Sequence, residues 1–376
     1  MNASVDSTHS PRLHDASISR IVFWQPIASP HQEAFLEAVA RQFTGEVILA
    51  VERDLPAERR AQGWRQPSHT NVKVIDISIP ANHAALAAHA TATSLHVFSG
   101  FFSHPLVWAG FRKLAGSEAR LAIMSEAPEQ TFVTGWFKRL RGKVLAARWA
   151  SRFAFVLAIG GVGCEFFERI GFPQDKIVPF GYYLDVHPLA EATAARRADG
   201  VIRFVSAGQL IRRKGIDFLV KACSTLPASG WRLDIYGDGP ERQALEQVVR
   251  ESKLSDRIVF HGVIPSEQVR TVLAEADCAV LPSRFDGWGM LVNESLAVGT
   301  PVICTAACGA AAIVTDEQSG FVVPSGRAPA LAAAVAAAVA RGPIQSQTRI
   351  TINARVSQQA SAELAVERFM KAMPHG

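Results

Sequence analysis

Long apolar runs are missing from this chain: nowhere do about 18 or more apolar residues follow one another, which excludes a membrane-spanning helix. Charge is sparse too. Asp, Glu, Lys and Arg make up 19% of the 376 residues against 48% apolar ones, a balance that excludes a disordered chain or a long coiled coil. Residues 1–17 are polar and carry no apolar signal core, so synthesis and residence in the cytoplasm are expected. Cysteine is too scattered for a disulfide framework, because Cys164, Cys223, Cys278, Cys304 and Cys308 all sit in apolar segments, as reduced core thiols do. Cys304-x3-Cys308 has no second cysteine or histidine pair at zinc spacing. No recognised nucleic-acid-binding motif accompanies the basic residues, so no nucleic-acid partner is expected.

What is present is a repeated α/β rhythm. Strands are expected at Ile18–Trp24, Val47–Val51, Val72–Ile79, His96–Ser99, Arg120–Met124 and Ala154–Ile159, with helices at Gln32–Gln42, Ala81–Ala92 and Pro105–Leu114. Phe35, Leu36 and Val39 share the inward face of the first helix. Alternation of this kind predicts a mostly parallel, doubly wound sheet. A polar break near 181–200 precedes a second such unit starting at Val201. The expected organisation is a polar tail at 1–17, one domain at 18–185, a linker at 186–200, a second domain at 201–345 and a helical segment at 346–376. Pro329–Arg341 and Ala360–Met373 read as helices.

The most informative segment runs from Cys278 to Ile303: a buried strand, a glycine-broken loop, a helix with an internal acid and another strand. Gly287 and Gly289 allow close approach of a ligand to the backbone, and a helix starting at Met290 would aim its N–H donors there. Asp286 and Glu294 flank that turn. If helical throughout, the residues between them would span about 12 Å, which suits two ends of an elongated ligand better than one scissile bond. Alternatively, Asp286 caps the helix and Glu294 is solvated.

Two further loops carry chemistry. Arg203 to Leu219 is a strand, a basic loop with Arg212, Arg213 and Lys214, and a helix start; it is either a solvated loop or, at the carboxyl end of an α/β strand, a ligand site. Trp231 to Glu241 is a strand ending in Gly237-Asp238-Gly239-Pro240, a turn before a helical run. Arg257 to Ile264 reads as another strand.

Asp286-x7-Glu294 followed by Ser-Leu-Ala-Val-Gly-Thr-Pro-Val-Ile resembles the E-x7-E signature of glycosyltransferase family 4, with Asp in place of the first Glu. Gly208-Gln209-Leu210-Ile-Arg-Arg213-Lys214-Gly215 is similar to that family's G-R-L-x-x-x-K-G motif, with Gln209 where arginine is usual. The resemblance implies a GT-B architecture, α/β with two Rossmann-like doubly wound domains facing across a cleft, and a C-terminal tail that crosses back onto the first domain. It also implies a retaining hexosyltransferase that needs neither metal nor cofactor and uses a nucleoside diphosphate sugar as donor. Asp286 with the Gly287, Trp288 and Gly289 backbone would hold sugar and diphosphate, Glu294 the ribose, and Lys214 and Arg213 the diphosphate charge. Gly208, Gln209, Gly237, Asp238, Gly239 and Val263 would line the donor site.

Acceptor chemistry is expected from the first domain. Ser125-Glu126-Ala127-Pro128 follows a strand where family 4 enzymes carry a residue near the reacting sugar, which makes Glu126 the catalytic candidate; its alternative is a turn acid before proline. Ser29, His31, Ser99 and His104 are weaker candidates, with core or capping roles as the alternative. Net charge is +5, and residues 132–155 hold Lys138, Arg139, Arg141, Lys143, Arg148 and Arg152 without an acid, interleaved with Trp136, Phe137, Trp149 and Phe153. Such a helix either lies on an anionic membrane, on the inner face of the plasma membrane, or is solvated with core aromatics. Membrane docking would imply a lipid-linked saccharide acceptor in polysaccharide or glycolipid assembly. A glycogen-phosphorylase-like enzyme would need pyridoxal phosphate and a much longer chain, and a GT-B epimerase fits the signature less well. The alternative of another class is a silent nucleotide-sugar or polyanion binding protein.

Overall fold

The computed structural model describes residues 18–100, 104–129, 134–189 and 200–373. The 1–17 tail, most of the 186–200 linker and the first residues of the 132–155 basic stretch lie outside the described residues. Two all-parallel sheets organise the rest. The first holds β1 (Arg20–Gln25), β2 (Glu46–Val51), β3 (Lys73–Asp76), β4 (Ser94–Ser99), β5 (Arg120–Glu126), β6 (Phe153–Ile159) and β7 (Ile177–Phe180), in the order β3-β2-β1-β4-β5-β6-β7. The second holds β8 (Ile202–Ala207), β9 (Trp231–Tyr236), β10 (Ile258–Gly262), β11 (Cys278–Leu281), β12 (Val302–Thr305) and β13 (Gly320–Val323), in the order β10-β9-β8-β11-β12-β13.

Both sheets thus follow the 3-2-1-4-5-6 order of a Rossmann fold, the first with an extra edge strand. In each, the winding reverses between the first and fourth strands, and there the loops at the strand carboxyl ends open a crevice. Residues that follow β1, β4, β8 and β11 therefore come to one place: His31, then Gly100 and His104, then Gly208, Arg213 and Lys214, then Phe285 to Gly289. Strands buried on both faces read as near-continuous apolar runs, and β1, β2, β6, β11 and β12 are buried along almost their whole length.

Several elements differ from the sequence expectation. Ile177–Phe180, a short run interrupted by Pro179, forms an edge strand, which tolerates a residue without an N–H donor. β3 is only the four residues Lys73–Asp76, and the helix after it is Pro80–Ala88. The C-terminal segment is two helices, Ser346–Ala360 and Ala362–Ala372, joined at Ser361, whose hydroxyl caps the second by accepting from Leu364 N. That second helix sits on the first domain: the Phe369 ring lies 5.7 Å from those of Phe23 and Phe35, and one apolar cluster runs from Ile21 and Phe35 through Phe369 to Trp288 and Val302. The two sheets are consequently joined by a shared core as well as by the chain.

The seam between them is lined with glycine. A side chain at Gly160 would meet Gly309 Cα at 2.7 Å, one at Gly309 would lie 3.2 Å from Trp288 Cα, and Gly181 faces the Trp288 ring. Only residues without a Cβ let these backbones approach so closely.

Candidate active site

The cleft between the domains has a volume of about 1310 Å³ and takes its walls from both. On the second-domain side the two loops recognisable in the sequence meet. Lys214 Nζ donates to Asp286 Oδ2 at 2.6 Å, and Arg213 lies 3.7 Å from Asp286 Oδ1 while donating to Phe285 O at 2.9 Å. Asp286 is thus not the cap of the following helix. That position belongs to Gly289, at φ +95°, without a side-chain cap. Val292 N already bonds Gly289 O at 3.0 Å, while Met290 and Leu291 at the start of this helix line the cleft, with its positive end behind them. Gly215, at φ +70°, lets the basic turn press against the Pro282 carbonyl, a contact no Cβ would permit.

A residue that sequence reasoning missed fastens these loops together. Arg284 grips Asp217 with two bonds of 2.7 and 2.6 Å, donates to Arg212 O at 2.7 Å, and lies 3.9 Å over the Phe218 ring. A bidentate guanidinium–carboxylate pair is the strongest such clamp a surface loop can have. An arginine two residues before the acid gave no signal, because its partner is remote in sequence.

The other proposed donor residues separate into lining and support. Gly208, Gln209, Gly237, Asp238, Val263, Gly287, Trp288, Gly289 and Glu294 line the cleft. Gly239 is not among the lining residues: its Cα face lies against the Leu210 backbone, so it is a packing glycine. Trp288 touches the cleft but sends its ring into the seam, where Nε1 donates to Asn293 Oδ1 at 2.7 Å. Glu294 is half-buried within the cleft, and burial raises its carboxyl to about 7, with Arg270 pulling the other way.

Glu126 comes from the opposite wall and closes the site. Its carboxylate reaches the place a Cβ on Gly287 would occupy. Burial is the main cause of its raised pKa and the Asp286 charge adds to it, whereas a Tyr182 hydrogen bond, Arg213 and Lys214 lower it. Tyr182 is a second residue that sequence reasoning missed. His31, half-buried against Tyr182 and Trp64, is pushed down to about 4 by burial and by Arg59 and Lys214, Asp286 opposing, so its imidazole is neutral near pH 7. Ser99 and His104 also line the cleft; burial lowers His104, with Glu52 opposing and Arg53 assisting. Ser29 does not line it, and its hydroxyl instead caps the Pro30–Gln42 helix by accepting from His31 N.

The 63–71 loop spans the cleft. Ser266 N donates to Gly63 O at 2.8 Å from the other domain. Glu33 accepts from Arg65 and Ser68 N, while Glu37 accepts from Thr70 N, Asn71 N and Asn71 Nδ2. These two acids, one turn apart on the Pro30–Gln42 helix, hold the loop so that Trp64 faces the cleft beside His31.

On the outer surface, the helix Thr134–Trp149 exposes Trp136, Phe137, Leu140 and Val144 along one side. Phe153 is buried, and Arg152 is spent on the carbonyls of Ala115, Ser117 and Ala119, so neither belongs to that surface. Among the described residues no helix is long and apolar enough to cross a membrane.

Comparison with known proteins agrees with this geometry. Residues 192–357 match the family model described as glycosyl transferases group 1. Over 178 residues the chain is 31% identical to a Salmonella typhimurium protein, WcaL, whose name proposes it as a colanic acid biosynthesis glycosyltransferase; the match covers 45% of this chain and 43% of that protein. A lipopolysaccharide core biosynthesis glycosyltransferase of Rhizobium meliloti, LpsE, is 29% identical over 52% of this chain and 60% of its own. The chain thus spans only about half the length of the curated relatives it matches. In structure it resembles Anabaena HepE crystallised with UDP, with a TM-score of 0.71 and 16% identity over 94% of this chain and 98% of that one. The fold is therefore GT-B, two Rossmann-like domains around a cleft.

Proposed function

We propose that this chain is a metal-independent glycosyltransferase of family 4 that moves a hexose, with retention, from a nucleoside diphosphate sugar to an acceptor hydroxyl during polysaccharide or glycolipid assembly. The observation that carries this reading is the meeting of Lys214, Arg213 and the uncapped helix at Met290 on one wall with Glu126 on the other. In transfer, the bond between the anomeric carbon and the diphosphate oxygen breaks, a bond to the acceptor oxygen forms on the same face, and the acceptor proton passes to the leaving phosphate. Fixed positive charge aimed at that phosphate stabilises it as it departs, and needs no metal to do so. Structural neighbours crystallised with UDP and UDP-glucose support a uridine nucleotide as the first donor to test.

The acceptor on this reading is a lipid-linked saccharide, and the chain works on the cytoplasmic face of a membrane. Trp136, Phe137, Leu140 and Val144 would enter the interface while the exposed Lys138, Arg141 and Lys143 meet anionic headgroups, each such cation adding about 1 kcal/mol. Thermal shift against a panel of nucleotide sugars, followed by product detection with lipid-linked acceptors, tests the whole. Binding raises the folded-state stability as RT ln(1 + [L]/Kd), so a donor is seen even without turnover. Binding without hydrolysis or transfer would favour a silent nucleotide-sugar binding protein instead, and equal sedimentation with anionic and neutral vesicles would remove the membrane surface.

A further inference from the structure

The first-domain wall of the cleft carries a cation that neither the proposed donor contacts nor the ion pairs of the fold engage. The short helix Ala57–Ala61 ends in a two-bond closure, in which Trp64 N donates to Arg59 O at 3.1 Å and Gly63 N to Arg60 O at 2.9 Å. Gly63, at φ +82°, permits that closure, and its carbonyl accepts from Ser266 N of the second domain. The reversal brings the Trp64 indole against the Arg59 guanidinium, whose carbon lies 4.7 Å from the ring centroid. A row of rings leads on from there. Trp64 lies 4.6 Å from His31, His31 6.2 Å from Tyr182, and Tyr182 6.2 Å from Trp288 beside Gly287. Arg59, Trp64, His31 and Tyr182 all line the cleft.

The side chain of Arg59 makes one hydrogen bond, to Gln62 Oε1 at 3.4 Å. Among the described residues no carboxylate pairs with it or with Arg41, which stands exposed near the far end of the Pro30–Gln42 helix. The other cations named in the cleft are engaged: Lys214 and Arg213 with Asp286, Arg65 with Glu33, and Arg270 with Asp185 O at 3.2 Å. Glu33 and Glu37, the acids of this wall, are taken up by the 63–71 loop. A stacked and hydrogen-bonded guanidinium is held in one orientation, so little rotamer freedom is lost when an oxyanion takes its remaining N–H donors in pairs. We propose that Arg59, on its Trp64 platform, binds an oxyanion of the acceptor, a phosphate or carboxylate carried by the saccharide that receives the sugar, and so selects an anionic acceptor over a neutral one. The proposal rests on the transferase reading, which makes this wall the acceptor side. His31, next in the row, is neutral near pH 7 and adds no charge of its own.

The Trp64 indole N–H reports on this place in the NMR spectrum of the full chain and is identified by its loss in Trp64→Phe. Protein saturated with UDP, to fill the Lys214 side, is titrated with glucose 6-phosphate, glucuronic acid and glucose. At least one of the two anions binds roughly tenfold more tightly than glucose, the size of effect that charge-assisted hydrogen bonds give. Tighter binding of the first assigns a phosphate group, and of the second a uronic carboxylate. Arg59→Gln removes the preference and leaves the glucose and UDP affinities within about twofold. Arg60 is exposed on the same helix and does not line the cleft, so Arg60→Gln changes none of these values. Anions that bind no more tightly than glucose overturn the proposal. So does an Arg59→Gln protein that keeps the preference, or one whose UDP affinity falls about tenfold, which would give Arg59 to the donor instead. Should Arg59→Gln fail to fold, Arg59→Lys decides, because it keeps the charge and loses the fork; a smaller loss is expected, and an unchanged preference overturns the proposal. If UDP does not bind, the transferase reading fails, and the same titrations without UDP still decide whether Arg59 holds an anion.

Discussion

Glu294 offers the most quantitative handle on the proposed donor site. Burial in the cleft holds its carboxyl at about 7, with Arg270 as the opposing charge. If the ionised form is the one that accepts the ribose hydroxyls, donor affinity follows the ionised fraction, which is roughly one-eleventh at pH 6 and ten-elevenths at pH 8. The sign follows from the direction of the shift: a raised carboxyl is protonated below its midpoint, so binding weakens as pH falls through 7 and levels off above it. The expected change in Kd is about tenfold between pH 6 and 8, or ~1.4 kcal/mol, and it shrinks to the extent that the neutral acid also binds. UDP-glucose is the proper probe, because a diphosphate esterified at both ends does not titrate in this range. Calorimetry at pH 7 in buffers of different ionisation enthalpy should register release of about half a proton. His31, already neutral, contributes no slope here. A Kd that stays constant from pH 6 to 8, or a slope that survives in Glu294→Gln but disappears in Glu126→Gln, would refute the assignment of Glu294 to the donor.

Lys214→Ala removes the cation 2.6 Å from Asp286 that is proposed to meet the departing diphosphate, so kcat for UDP-glucose turnover should fall about 100-fold, ~2.7 kcal/mol, with the circular dichroism spectrum unchanged; an undiminished rate sinks the role. Gly309→Ala would place a methyl group 3.2 Å from Trp288 Cα and still closer to the Gly287 carbonyl, backbone on backbone, and should cost about 1–3 kcal/mol in scanning calorimetry while weakening UDP binding. Gly161→Ala, one residue past the seam with nothing within 4 Å, serves as its control and should be neutral or stabilise by about 0.4–1 kcal/mol.

Much of this molecule is legible in the order of its residues. The strand and helix alternation shows in apolar periodicity over short windows, and β1, β2, β6, β11 and the Pro105–Leu114 helix fall where it puts them to within a residue or two. The two loops proposed to hold the donor are legible for the same reason: Gly208 to Gly215 and Asp286 to Glu294 each hold their glycines, acids and cations within a few residues. β7 escaped because Pro179 breaks the pattern, and the division of the 346–376 helical segment into two helices at Ser361 did not show in its apolar spacing.

The sequence by itself determined two parallel α/β units and a basic turn beside a glycine-flanked acid, since local propensity and pattern suffice for these. Only the tertiary structure decided what each group does. The Lys214–Asp286 pair, the Arg284–Asp217 clamp and the meeting of Glu126 with Gly287 join residues 67 to 161 positions apart, and sequence spacing carries no record of such contacts. Burial likewise lowers the His31 imidazole and raises the Glu126 and Glu294 carboxyls, because desolvation depends on what surrounds a group and not on its neighbours in the chain. It also turned Ser29 into a helix cap, Gly239 into a packing residue, and Tyr182, silent in the sequence, into the bridge between the two walls of the cleft.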